Sequence, residues 1–183
     1  WVPANESFGL GEVDTAVRDD FLVRLYRMTH ELDASRPVVS NDGWEHALTD
    51  LCTLHDYSTA PTLVEHFRSV DAALTARAEG HETYDPGFSY RGEPMLVTEF
   101  GGLRFKGSTG WGYHEVGDSE QLVQEYEARV AALMQPGPVY GFCYTQLTDV
   151  EQEQNGLAAA DRTPKADPSR IRPITQVKKK EGP

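Results

Sequence analysis

Met95-Leu96-Val97-Thr98-Glu99-Phe100-Gly101-Gly102 is a short apolar run that closes on a carboxylate and then on two glycines. A run of this length, bounded by turn residues, reads as a strand over 94–100. Its Glu99 falls at the carboxyl end, which in parallel α/β folds is the end that carries chemistry. A second acid is placed the same way: Glu6 ends Trp1-Val2-Pro3-Ala4-Asn5-Glu6, ahead of Ser7. Two carboxyl groups facing one sugar-sized gap are the minimum equipment for breaking a glycosidic bond.

Outward from these two acids, strand and helix patterns alternate. Residues 1–6 read as the end of a strand. Asp14 offers an N-cap, and Val17, Phe21, Leu25, Met28 and Leu32 recur at helical spacing through residue 34. Val38-Val39-Ser40 reads as a short buried strand before the turn Asn41-Asp42-Gly43, and 51–57 as the next strand. A helix is expected over about 62–79, with Leu63, Phe67, Val70 and Leu74 on one face. A Gly/Pro/Tyr-rich loop at 80–93 precedes the 94–100 strand and a Gly-rich loop at 101–117 follows it. Asp118 then caps a helix through Met134, Gln135-Pro136-Gly137-Pro138 breaks it, and a last strand runs from Val139 to Thr145.

The order is therefore β-α-β-β-α-β-α-β, with the long loops at strand carboxyl ends. Short apolar strands buried on both faces, alternating with amphipathic helices, predict a parallel sheet. That loop placement is the one used by (β/α)8 (TIM) barrels. Five strands cannot close such a barrel, so residues 1–158 read as a partial barrel holding about strands four to eight. Residues 159–183 read as a polar tail that completes the domain and ends in disorder.

The 183 residues suffice for one domain with a substantial core, and 39% are apolar. With 17 basic against 29 acidic residues the net charge is -12, a surface that repels nucleic-acid phosphate and anionic lipid. Lys178-Lys179-Lys180 reads as a solvated terminus. Cys52 and Cys143 read as two buried thiols. The six histidines show neither His-x-x-x-His nor Glu-x-x-His spacing, so no metal centre is expected.

Asn5-Glu6 after a Trp-bearing segment, and Thr98-Glu99-Phe100-Gly101-Gly102 after a later strand, resemble the catalytic barrel of glycoside hydrolase family 2. That family holds β-galactosidases, β-glucuronidases and β-mannosidases. The stretch from Tyr144 to Leu157 is similar to the last barrel strand and following loop of bacterial members. The resemblance runs from Trp1 to about Thr175. It implies that 1–6 correspond to the fourth barrel strand and 94–100 to the seventh, with Glu6 as acid/base and Glu99 as nucleophile of a retaining exo-β-glycosidase. No organic cofactor is implied, and the expected partner is a carbohydrate.

The same match implies that Asn5 donates to the sugar 2-hydroxyl; as a bare residue it also suits a turn. His55-Asp56-Tyr57 ends the strand corresponding to the sixth. There Tyr57 can hold Glu99 ionised and His55 can meet sugar hydroxyls, or both can simply pack. Trp44 and Trp111 each lie on a loop, where an indole either stacks on a pyranose or anchors the chain. Tyr144, Gln146 and Asp149 close the last strand and are weaker candidates for substrate contacts. The loop Gly101-Gly102-Leu103-Arg104-Phe105-Lys106 lacks the Asn-x-Lys pattern associated with glucuronidases, which disfavours a uronic acid. A non-catalytic carbohydrate-binding remnant and another retaining barrel glycanase remain alternatives. An open sheet of five strands also leaves two edges bare, so self-association is expected.

Overall fold

A computed structural model describes residues 1–179. Helix α1 spans Thr15–Leu32, and the Asp14 side chain accepts from the Ala16 N–H at its start. Strand β1 is Cys52–His55, followed by α2 (Ala60–His66) and α3 (Val70–Thr75). Strand β2 is Met95–Glu99, and β3 (Leu103–Phe105) pairs in parallel with β4 (His114–Val116) inside the expected Gly-rich loop. Helix α4 runs over Ser119–Leu133 behind the Asp118 cap, and β5 (Val139–Phe142) follows. The last element, α5, is Pro168–Thr175.

The central sheet has the order β1-β2-β5, parallel throughout. Parallel neighbours require crossovers, which α2–α3 and α4 provide. Two further segments extend the series by single hydrogen bonds. Val39 N–H donates to Trp1 O and Asp42 N–H to Ala4 O, with a parallel bridge between Asn5 and Asp42. His55 N–H in turn donates to Gly43 O at 3.3 Å. Residues 1–6 and 38–43 thus lie alongside β1 in chain order. They do not form the regular strands expected of them, because only scattered ladder bonds close.

Met95, Val97 and Val139 point into one apolar layer with Leu63, Phe67, Leu122, Tyr126, Val130 and Leu133 from α2 and α4. Leu96, Thr98 and Tyr140 alternate to the other face, where they are only half-buried or exposed. β2 and β5 are therefore buried on one face, not two. Cys143, one residue past β5, is exposed for the same reason, while Cys52 is buried as expected.

Three other expectations change. The single helix over 62–79 is two helices, because Phe67 caps α2 and Ser69 opens α3 by accepting from Ala72 N–H. On α1 the buried side chains are Arg18 and Leu22, whereas Val17, Phe21, Met28 and Leu32 are exposed. Its inner side is polar: Arg18 meets Asp85 and Glu45, and Tyr26 and His30 meet Asp50. The tail is partly ordered, since α5 packs on α4 through Ile171 and Ile174. The expected disorder at its end falls on residues 180–183, outside the described residues. Among the described residues no helix is long and apolar enough to cross a membrane.

Candidate active site

The residues after Asn5 turn sharply. Glu6 and Ser7 adopt φ values of 52° and 51°, a left-handed conformation that costs roughly 1–3 kcal/mol per non-glycine residue. Buried Asn41 holds that bend. Its Oδ1 accepts from Ser7 N–H at 2.9 Å, and its Nδ2 donates to Ser7 Oγ at 3.0 Å and Trp44 O at 2.7 Å. The turn Asn41-Gly43 is thus the brace that aims Glu6, a task that its composition did not announce.

Glu6, His55 and Glu99 converge. Each offers one polar atom within 4.8 Å of the other two. His55 Nδ1 lies 2.6 Å from Glu6 Oε1, and His55 Nε2 lies 3.7 Å from Glu99 Oε1 and 3.4 Å from Asp42 Oδ2. Each ring nitrogen faces a carboxylate, an arrangement in which protons can be shared through the ring. Burial opposes charging of His55, but the Asp42 and Glu6 carboxylates and the charge of Glu99 prevail, pushing it up to about 9. Asp42 is held low: burial would raise it, and His55, Thr53 and Thr98 more than offset that.

Glu99 stands at the end of β2, half-buried. Burial raises its carboxyl above the usual range, and the charges of Glu6 and Asp42 add to this. His55 and the Tyr57 hydroxyl, which donates to Glu99 Oε2, work the other way. Tyr57 is in turn stacked on Tyr113, with ring centroids 3.5 Å apart and planes 4° from parallel. The approach of Tyr113 depends on Gly102, where φ is +58° and a Cβ would sit 2.5 Å from Tyr113 Cδ2. That explains the glycine that follows the Glu99 strand. Trp111 meets the same tyrosine edge-on at 5.6 Å and is exposed.

The remaining candidates divide. Asn5 is exposed beside Glu6, and its side chain makes no hydrogen bond among the described residues. Of the two readings of Trp44, platform or anchor, its packing fits the anchor. It is only 8% exposed, stacked on His81 at 4.2 Å and edge-on to His55 at 5.6 Å, so it anchors the loop. His55 is wholly buried and faces carboxylates, not an open cleft. The Tyr144 hydroxyl is used internally, accepting from Leu103 N–H at 3.1 Å and donating to Asn155 O at 3.0 Å. Asp149 is engaged by Lys165 at 2.6 Å, and Gln146 Nε2 donates to Glu153 O. Sequence reasoning missed Asp42, Thr98 and Tyr113. Asp42 alone had a signal, since it ends an apolar segment in the same way as Glu6 and Glu99.

No protein-family model matches this sequence, and no curated protein matches it. Solved structures do. A GH2 β-galacturonidase from Eisenbergiella tayi covers 91% of this chain at 15% identity with a TM-score of 0.58. The fold is one shared with solved glycoside hydrolases. A β-glucuronidase from Faecalibacterium prausnitzii covers 89% at 18% identity and a TM-score of 0.56. A β-glucuronidase from Parabacteroides merdae covers 90% at 15% identity and 0.60. The chain spans 32%, 29% and 24% of those three proteins respectively. The resemblance to glycoside hydrolase family 2 read from the motifs thus reappears in the backbone.

Proposed function

We propose that this chain is part of a (β/α)8-barrel catalytic domain, about strands four to eight, of a retaining exo-β-glycosidase. Its substrate class is terminal β-linked sugars, in the manner of a β-galactosidase. The observation that carries the reading is the pair Glu6 and Glu99, which lie far apart in sequence, one in a turn and one at the end of β2, yet bring carboxylate oxygens within 4.8 Å of each other. Retaining enzymes hold their carboxyl groups ~5–5.5 Å apart, whereas inverting ones need ~6.5–9.5 Å to admit a water.

In the first step Glu99 attacks the anomeric carbon while Glu6 gives its proton to the glycosidic oxygen. The C–O bond to the leaving group breaks and a glycosyl ester forms on Glu99. In the second step Glu6 removes a proton from water, the water oxygen bonds the anomeric carbon, and the ester is released. Tyr57 suits the nucleophile's role, since its O–H donates to the ionised form of Glu99. Exposed Asn5 beside Glu6 would donate to a sugar hydroxyl, and exposed Trp111 with Tyr113 would supply an aromatic wall. Arg104 is tied to Glu115 and Ser108, which supports a neutral sugar over a uronic acid.

The test is labelling with a mechanism-based 2-deoxy-2-fluoro β-glycoside, read by mass spectrometry of the chain. A hexose adduct on Glu99, lost in Glu99→Gln, is expected. An unlabelled chain that still binds sugar would favour the non-catalytic carbohydrate-binding reading.

A further inference from the structure

Asp42 touches both halves of the site. Its backbone C=O accepts from Glu6 N–H at 2.9 Å, and its N–H donates to Ala4 O at 3.0 Å. Its Oδ1 accepts from Thr98 Oγ1 at 2.8 Å, one residue before Glu99. Its Oδ2 faces His55 Nε2 at 3.4 Å. That ring nitrogen is buried and has no hydrogen-bond partner among the described residues. The ring is pinned from behind as well: Gly43 has φ +101°, and a Cβ there would meet His55 Cγ and Nδ1 at 2.8 Å.

A bare ring nitrogen sealed against two carboxylates is unfavourable, and a protonated one is favourable. The opposite nitrogen lies 2.6 Å from Glu6 Oε1 and is best satisfied as N–H too. The charged groups around the ring are Glu6 from the amino-terminal segment, Asp42 from the turn and Glu99 from β2. His46 is a cationic candidate near it among the described residues, and burial disfavours its ionised form.

We propose that Asp42 is the positioning residue of this site. Through His55 it holds Glu6 as the carboxyl that handles the proton, and through Thr98 it holds the strand end bearing Glu99. This rests on the assignment of Glu6 as acid/base. One proton lies between His55 Nδ1 and Glu6 Oε1. Moving it breaks an N–H bond and forms an O–H bond, turning imidazolium and carboxylate into imidazole and carboxylic acid with no change in net charge. Asp42 stabilises the imidazolium member, so the His55 Nδ1–H stays directed at Glu6 Oε1.

The test is a pH titration of the full chain with 15N-labelled histidine, the His55 ring signals being assigned by their loss in His55→Gln. His55 is expected to stay in its imidazolium form until about pH 9. Asp42→Asn and Glu6→Gln should each lower that midpoint by roughly one to three pH units, the effect of losing an adjacent opposite charge. Glu6→Gln, on the opposite side of the ring, reads the same coupling if Asp42→Asn does not fold. A His55 that titrates near the ordinary ~6.5 in the unmodified chain overturns the proposal. So does a midpoint that neither substitution moves. No turnover is needed, so this failure is distinct from failed fluorosugar labelling, which bears on the hydrolase reading alone.

Discussion

His55 Nδ1 lies 2.6 Å from Glu6 Oε1, on a ring that solvent does not reach. Because His55 is pushed up from 6.5 to about 9, the folded state binds a proton more tightly than the unfolded chain. Its stabilising contribution is complete below pH ~6.5 and is lost as pH rises through about 9. The contribution is on the order of 3 kcal/mol. Urea unfolding at intervals between pH 6 and 10 should show stability falling across that window. Glu6→Gln should flatten the slope. An unchanged slope would mean that the pair is not coupled to folding.

Tyr57→Phe removes a hydroxyl that donates to Glu99. Burial already raises Glu99, and losing a donor to the ionised form raises it further. The acid limb of hydrolysis, or of fluorosugar labelling, should move to higher pH, with loss greatest at low pH and smallest near neutrality. A uniform loss at every pH would point to misplacement of Glu99 and not to its ionisation.

Gly43→Ala should destabilise the fold by about 2–4 kcal/mol, because it adds strain at positive φ to overpacking against a buried ring. Both conditions hold at this position, where φ is +101° and an added Cβ would stand 2.8 Å from the His55 ring. Chemical denaturation measures the loss. A cost below about 0.5 kcal/mol, within the range of a neutral surface change, would mean that the ring has room to retreat.

The chain is expected to self-associate. Trp1 and Val2 flank one side of the sheet series, Tyr140 is exposed on β5 at the other, and Phe21, Met28 and Leu32 form an uncovered stripe on α1. Apolar surface gathered in this way favours association over solvation. Light scattering behind size-exclusion chromatography should report a mass above 20.4 kDa that rises with concentration. Phe21→Glu with Met28→Glu should lower it if the α1 stripe takes part, and leave it unchanged if the sheet edges alone associate. A monomer at every concentration would end the idea.

Much of this protein is written in short-range pattern. Asp14 and Asp118 begin helices because an Asp side chain accepts from an otherwise unpaired amide two or three residues on. β1, β2 and β5 follow from brief apolar runs between breakers, and Glu6 and Glu99 mark segment ends for the same reason. The α2–α3 break was not legible, since Leu63 to Leu74 keep one helical phase through it. The outward face of α1 escaped for a related reason: periodicity reveals that a stripe exists but not what lies across from it.

By itself the sequence determined where several segments stop, among them α1, α4 and β2, and which residues stand at their ends, because capping and hydrophobic period act over a few residues. Only the tertiary structure decided what those residues do to one another. His55 meets Glu6 across 49 positions and Tyr57 meets Glu99 across 42. Whether Trp44 is a platform or an anchor, and whether Asp42 is a turn residue or the brace of the site, depends on what packs beside it. That packing is set by contacts between distant segments, which no local pattern encodes.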